Sequence, residues 1–416
     1  MAKYKKHQQH ARKKKVFEII MPGHREGISF VDALALSEIQ HKVQSALELE
    51  RDEIVGRCWH DHHKEGTSVE YRNGYSKPRS LTCGSGTMHI HMPRLRRTYE
   101  SNIVEKYQRL TEAMQTLLPR LYMHGLATGD FEPAFGWLWG EDAPLSPSTI
   151  VRMKEQWQQE YEQWKHQPLE SEYLYVWADG IYPKGGSVDE PLAILVVLGV
   201  NRKGEKKVLA LEEGYRESEE SWTEVFRTLK QRGVKWIGLT VGDGIAGLWK
   251  AVRTMFPSAR HQRCWVHKMR NILDKVPKKA HDEVLEFLRS LYNASSQGEA
   301  QRLKEEFIKR YRSVYPKAVQ SLLEAGESLF VYFCFPQRHW KSIKTTNPIE
   351  SLFATVRIRI AAARRIRNRL SAVCLVFQLL RTSEKRLNKV RAYQIVSNTI
   401  DQLRAKKTTT KVRHAA

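Results

Sequence analysis

The stretch Tyr173–Tyr182, YLYVWADGIY, decides how the chain is read. Tyr173 to Ala178 are six consecutive apolar residues, rich in aromatics, closed by Asp179 and Gly180. A short apolar run of this kind fits a strand buried on both faces. A buried helical segment has the same pattern, but the Asp-Gly break favours the strand. Ionised carboxylates are rarely placed at the end of a buried strand without a partner. Asp179 is therefore a metal ligand, half of an ion pair or a turn residue. On this segment alone the turn is the simplest reading, because Asp-Gly is a common turn dipeptide.

The pattern continues downstream. PLAILVVLGVNRKGEKKVLALEEGY reads as two strands joined by a turn at Asn201–Gly204, and ESEESWTEVFRTLKQRG as a helix with acidic residues in its first turn. VKWIGLTVGDG is a second apolar strand ending in Asp-Gly, at Asp243; IAGLWKAVRTMF is a helix, and RHQRCWVHKMRNIL begins with a short strand-like piece. The order β-β-β-α-β-α-β predicts a mixed sheet, its first three strands antiparallel, with helices on its faces. Residues 268–330, rich in Glu, Lys and Leu, read as an all-α insertion. TTNPIES and a long arginine-rich helical segment follow it, reaching about Asn388.

Upstream, residues 1–15 read as a basic arm and Ser29 to Arg57 as a helix. Cys58 to Arg97 reads as a small β element, with a turn signal at Asn73-Gly74 and strand-like alternation in MHIHM. Helices resume from Ile103 to His124. Two helical runs then flank a turn near Ser146-Pro147, the outline of a helix-turn-helix whose second helix, Ser148 to Trp164, would enter a major groove. Helical hairpins that bind nothing share this outline. The expected organisation is a basic arm (1–15), a mainly α-helical DNA-binding region (16–170) and the first part of an α/β core (171–267). An α-helical insertion (268–335), the second part of the core with basic helices (336–390) and a basic tail (391–416) complete it.

At 416 residues, 41% hydrophobic and 28% charged, the chain has the composition of a globular protein of two or three domains. No apolar run approaches the roughly 20 residues that span a bilayer, and no secretory signal follows the basic N-terminus. Five scattered cysteines do not make a disulfide framework, so a reduced, cytoplasmic setting is expected. The formal net charge is +23, and it is unevenly placed. Residues 1–15 carry seven Lys or Arg and no acid. Residues 338–416 carry 19 against Glu350, Glu384 and Asp401, while the middle holds 43 of each sign. Basic ends on a neutral body point to a polyanion, most simply nucleic acid.

Three acids stand out by context. Asp179 and Asp243 each close an apolar strand, and Glu350 opens a helix behind a polar loop. Neighbouring strands lie about 5 Å apart, so two strand-end carboxylates can stand side by side, and a third would complete an oxygen cluster. Crowded carboxylates need a cation; Mg²⁺ suits such ligands together with phosphate oxygens, and two ions about 4 Å apart serve phosphoryl transfer. The alternative for Glu350 is a capping box, with Asn347 as N-cap and Glu350 at N3. Cys264 and His267 form half of a zinc site; with no matching second pair, a buried hydrogen-bonded pair bracing the sheet is the expectation. Cys58, His60, His62, His63, Cys83, His89 and His91 are a zinc candidate by count alone.

Taken in order, the motifs resemble the Mutator-type transposases of bacterial insertion sequences. The matching stretches are YRNGY (71–75), LYMHGLATGDF (121–131), LSPSTIVRM (145–153), DGIYPK (179–184), VGDGIAGLWKAV (241–252), RCWVHKMRNIL (263–273) and TTNPIES (345–351). The resemblance implies a DDE catalytic domain of RNase H-like fold. In it Asp179, Asp243 and Glu350 are the catalytic, metal-holding triad, with two Mg²⁺ ions (Mn²⁺ substituting) as cofactors. Cys264 and His267 match its Cys-x-x-His signature. The resemblance further implies terminal inverted repeats and target DNA as partners, a homodimer or larger synaptic assembly, and a nucleoid-associated, non-membrane protein. Arg357, Arg359, Arg364, Arg365, Arg367 and Arg369 are expected to hold DNA phosphates. A non-catalytic regulator derived from a transposase, or a nuclease that cuts without joining, shares many of these features.

Overall fold

The computed structural model describes residues 30–56, 71–97, 99–123, 131–139, 147–182, 192–362 and 369–413. It divides into two compact units, residues 1–153 and 154–416. The basic arm at 1–15 and the histidine-rich piece at Cys58–His63 lie outside the described residues.

In the first unit, helix α1 (Phe30–Val55) packs on a hairpin of β2 (Arg79–Cys83) and β3 (Gly86–Ile90), burying Leu47, Leu81, Met88, Ile90 and Val104. The oxygens of Gln40 and Gln44 accept from the His89 and His91 backbone N–H groups at 3.3 and 2.9 Å, so the helix satisfies donors on the strand edge. A second pair joins β1 (Arg72–Tyr75) to β4 (Pro93–Leu95). Asn73-Gly74 makes no hairpin turn: both residues lie within β1, whose register is irregular there, and Gly74 at φ +68° supplies the left-handed residue of a bulge. Helix α2 covers only Glu112–Met123, so the helix expected from Ile103 starts nine residues late. Tyr107, at φ +67°, interrupts the segment before it. Helix α3 (Phe131–Trp139) follows, and helix α4 (Pro147–His166) begins in this unit and continues into the second.

In the second unit the five strands are β5 (Glu172–Ile181), β6 (Leu192–Val200), β7 (Lys206–Tyr215), β8 (Trp236–Gly242) and β9 (Arg260–Arg263), in the spatial order β7-β6-β5-β8-β9. The first three pair antiparallel; β5–β8 and β8–β9 are parallel. Helix α5 (Glu219–Gln231) follows β7 and helix α6 (Ala246–Met255) follows β8, which reproduces the strand–helix order read from the sequence. Alternation along β5 turns Val176 and Ala178 into one core, where α5 lays down Trp222, Val225, Phe226 and Leu229 at helical spacing and α6 adds Leu248, Ala251 and Val252. Each such Val, Leu or Phe side chain contributes roughly 1.5–3 kcal/mol by leaving water.

Helices α7 (Trp265–Leu273), α8 (His281–Tyr292), α9 (Gln297–Tyr311) and α10 (Pro316–Ala325) form the helical stretch between the sheet and the Thr345–Ser351 segment. Helix α11 (Asn347–Ala362) then contacts β5, and α12 (Arg369–Glu384) contacts β7. Helix α13 (Val396–Arg413) is latched to the start of β5: Arg202 bonds Glu172 at 2.6 Å and Asp401 at 2.7 Å, and Arg404 also reaches Glu172. Among the described residues no helix is long and apolar enough to cross a membrane.

Candidate active site

The parallel register of β5 and β8 pairs Val176 with Thr240 and Trp177 with Val241. Two residues further along stand Asp179 and Asp243, so the register brings them side by side at adjacent strands. Their backbones differ. Asp179 is not a turn residue, because β5 runs on through Gly180 to Ile181 and pairs Asp179 with Val196. The antiparallel ladder to β6 holds the Asp-Gly pair extended. Its carboxylate, 9% exposed, accepts from the Gly180 N–H at 2.9 Å. Asp243 does sit in a turn: its Oδ1 accepts from the Ile245 N–H at 3.0 Å, and Gly244 takes φ +105°. A Cβ at Gly244 would stand 2.3 Å from Nε of Arg263. Burial, and next the charge of Asp243, hold the Asp179 carboxyl well above the ordinary carboxylate range; His267 and the Gly180 N–H pull it down, and Glu350 adds to the rise.

Glu350 reaches the same charges from a tethered loop. Trp265 N–H donates to Lys344 O at 3.0 Å, Trp177 Nε1 to Thr345 O at 3.1 Å, and Thr346 N–H to Cys264 Sγ at 3.3 Å. Cys264 N–H in turn donates to Gly242 O at 2.7 Å, next to Asp243. The loop is thus fixed to β5, to the end of β8 and to α7. Thr346, not Asn347, caps α11: its carbonyl accepts from Ile349 and Glu350 N–H, both at 3.0 Å. The helix begins one residue early, and the Thr346 side chain there is held by Cys264. Glu350 then misses the capping-box position, and its carboxylate accepts from the Thr346 hydroxyl at 2.7 Å and stands 3.6 Å from His267 Nε2. The acid faces side chains of the site.

Cys264 and His267 belong to this cluster. Burial pushes the Cys264 thiol up, but hydrogen bonds with His267 and Thr346 outweigh it and hold the thiol below its ordinary value. His267 is raised, first by its bond to Cys264 and, against burial, by the charges of Cys264, Asp179 and Glu350. Among the described residues, the group of three whose ligand atoms lie within 4.8 Å of one another is Cys264, His267 and Glu350; Asp179 and Asp243 flank it without joining it. In the first unit Cys83, His89 and His91 form no such group.

One acid at the site carries no sequence signal. Glu217 lies between β7 and α5, in a run of acids that reads as a helix first turn. Burial, then Asp243 and Asp179, push its carboxyl up to about 7 against the hydrogen bond from Tyr182, whose hydroxyl donates to Oε1 at 3.0 Å. Its Oε2 is buried with no hydrogen-bond donor among the described residues. A Cβ at Gly180 would stand 2.5 Å from Glu217 Oε1, so the space beside Gly180 is filled by this carboxylate. Thr346 was equally invisible, since its role depends on Cys264 and His267, about 80 residues upstream.

The arginines expected on DNA separate. Arg357 is exposed, stacked over Phe353 at 5.7 Å; Arg359 is buried, at 4% exposure, and Arg369 pairs with Glu213 at 3.1 Å. Arg364, Arg365 and Arg367 lie outside the described residues. Cavities of about 420 and 450 Å³ beside Arg232 contain none of the acids above.

Residues 22–389 match the sequence model of the family described as "Transposase, Mutator family". The chain is 40% identical over 285 residues to the transposase for insertion sequence element IS6120 of Mycolicibacterium smegmatis, covering 68% of this chain and 88% of the relative. It is 36% identical over 258 residues to the transposase for element IST2 of Acidithiobacillus ferrooxidans, covering 61% and 87%. To the transposase for element IS256 in transposon Tn4001 of Staphylococcus aureus it is 30% identical over 315 residues, covering 74% and 80%.

Proposed function

The chain belongs to the Mutator family of transposases, and from that premise we propose that it binds the terminal inverted repeats of a bacterial insertion sequence, cuts at the element end and joins the freed strand to target DNA. The observation that carries this reading is the β5–β8 register, which sets Asp179 beside Asp243 while Glu350 acts on the same carboxylate from a tethered loop. The strand order, three antiparallel strands followed by two parallel ones, supports an RNase H-like fold for this unit.

Asp179, Asp243 and Glu350 are the residues that would hold two Mg²⁺ ions, with Mn²⁺ as a substitute. The site fits such a cation on one count: Glu217 Oε2 is buried and, among the described residues, lacks a donor. Burial first, and then the charge of Asp243, raise the Asp179 carboxyl beside it. When bound, the ions activate the attacking oxygen and stabilise the leaving one. The protein's part is positioning. The central strand fixes Asp179, the turn at Gly244 aims Asp243, and Thr346 with His267 orients Glu350. Water attacks the phosphorus at the element end, the P–O3′ bond breaks, and a 3′-hydroxyl and a 5′-phosphate result. That 3′-hydroxyl then attacks a target phosphodiester in line, and a new 3′-hydroxyl leaves. The basic N-terminal arm and Arg357 would hold phosphates, residues 1–170 would read the repeat, and synapsis of two ends would need at least a dimer.

A strand-transfer assay with pre-cut end oligonucleotides, target duplex and Mg²⁺ tests the reading. Joined products are expected. Cleavage without joining would make the chain a nuclease, and binding without either would make it a regulator.

A further inference from the structure

Around Asp179 and Asp243 the charges arrive from two sides. Asp179 points to the face of β5 that carries Trp177 and the Thr345 loop. Gly180, next in the strand, turns its open side to the opposite face, and Glu217 lies there with Oε1 where a side chain at 180 would be. The backbone holds Glu217 in place from a second direction. A Cβ at Gly247 would stand 2.7 Å from Glu219 N and 3.0 Å from Glu217 O, so the first turn of α6, which follows Asp243, is packed directly on the segment that carries Glu217. Ser218 caps α5, its Oγ accepting from Ser221 N–H at 3.2 Å, which fixes the chain just after Glu217. Tyr182 donates to one carboxylate oxygen, and the other is buried without a donor among the described residues.

A half-buried carboxylate near two others, with one oxygen buried and unsatisfied among the described residues, is costly unless something positive completes it. No Lys or Arg is paired with Glu217 among the described residues. A packing role would be served better by an amide or an apolar side chain, and Gly180 leaves room for this acid while Gly247 leaves room for the backbone that carries it.

We propose that Glu217 is a fourth carboxylate of the divalent-cation site, approaching Asp179 and Asp243 from the side opposite Glu350, with Tyr182 as its positioning residue. The inference rests on the cation-site reading above and adds to it. In this arrangement Asp179 and Asp243 are shared, Glu350 serves one flank and Glu217 the other.

Calorimetric titration of the full-length chain with Mn²⁺, without DNA, tests it. Wild type is expected to bind Mn²⁺, and Asp179→Asn to lose that binding. Glu217→Gln should weaken it at least about tenfold or halve the stoichiometry, while inverted-repeat binding is kept. Tyr182→Phe, which leaves every carboxylate, should weaken it only a few-fold. Mn²⁺ binding by Glu217→Gln equal to wild type, with Asp179→Asn defective, would overturn this inference and leave the cation site standing. Wild-type binding unaffected by Asp179→Asn would instead sink the cation-site reading itself. A Glu217→Gln chain that fails to fold would also count against the proposal, since it would make the residue structural.

Discussion

Asp179-Gly180 and Asp243-Gly244 share a dipeptide and a position near the C-terminal end of a sheet strand, yet the backbone treats them oppositely. The first pair stays in an extended strand, paired with β6. The second leaves its strand, with a side chain-to-backbone turn and a glycine at φ +105°. Gly180 is needed for the carboxylate that occupies its open side, Gly244 for its backbone angle and the Arg263 guanidinium. The difference teaches that a turn dipeptide is a permission: neighbouring strands decide whether it is used. Antiparallel β6 continues past Asp179 to Ile181, whereas parallel β9 pairs with β8 only as far as Gly242.

Substitutions separate the two pairs, and the largest effect should make them alike. Asp179→Asn and Asp243→Asn should each lower end cleavage by about 10³-fold or more, with DNA binding retained in a gel-shift assay. Normal cleavage by either would remove that residue from the reacting site. The glycines should then divide them. Gly244→Ala is expected to cost roughly 1–3 kcal/mol in denaturant unfolding, because a left-handed angle is imposed on a residue with a side chain. Gly180→Ala should cost less than about 1 kcal/mol, since the end of the Glu217 side chain can swing aside, but Mn²⁺ affinity should fall. Equal stability losses would erase the distinction.

Smaller effects test what surrounds the pairs. Cys264→Ser should cost roughly 1–2 kcal/mol, as the sulfur accepts from Thr346 N–H and lies 3.2 Å from its hydroxyl oxygen, and metal analysis of the wild-type protein should find no stoichiometric zinc. Zinc lost on that substitution would make Cys264, His267 and Glu350 a metal site of their own. Least of all, Arg357→Ala should weaken DNA binding about equally for all sequences and lower the salt slope by about one phosphate contact, whereas Arg359→Ala, at a buried position, should lower stability.

The sheet was legible because its strands are apolar runs long enough to be buried on both faces, and the parallel pairing made two distant acids neighbours. Asn73-Gly74 was misread as a turn for the reason that Asp179-Gly180 was: local propensity yields to strand pairing. Glu350 looked like a capping residue because the sequence does not reveal that Cys264 holds Thr346, whose hydroxyl in turn bonds the Glu350 carboxylate. Glu217 was hidden among Glu212, Glu213, Glu219 and Glu220, and only the packing of Gly180 and Gly247 distinguishes it from its neighbours.

Glu350 is where the two explanations diverge most, so Glu350→Gln is the sharpest single test. Single-turnover cleavage of an end-containing duplex in Mg²⁺, at equal DNA occupancy, should fall to background for this variant, which keeps the size and hydrogen-bonding capacity of the side chain. Cleavage at the wild-type rate would contradict the account and return Glu350 to a helix-capping role.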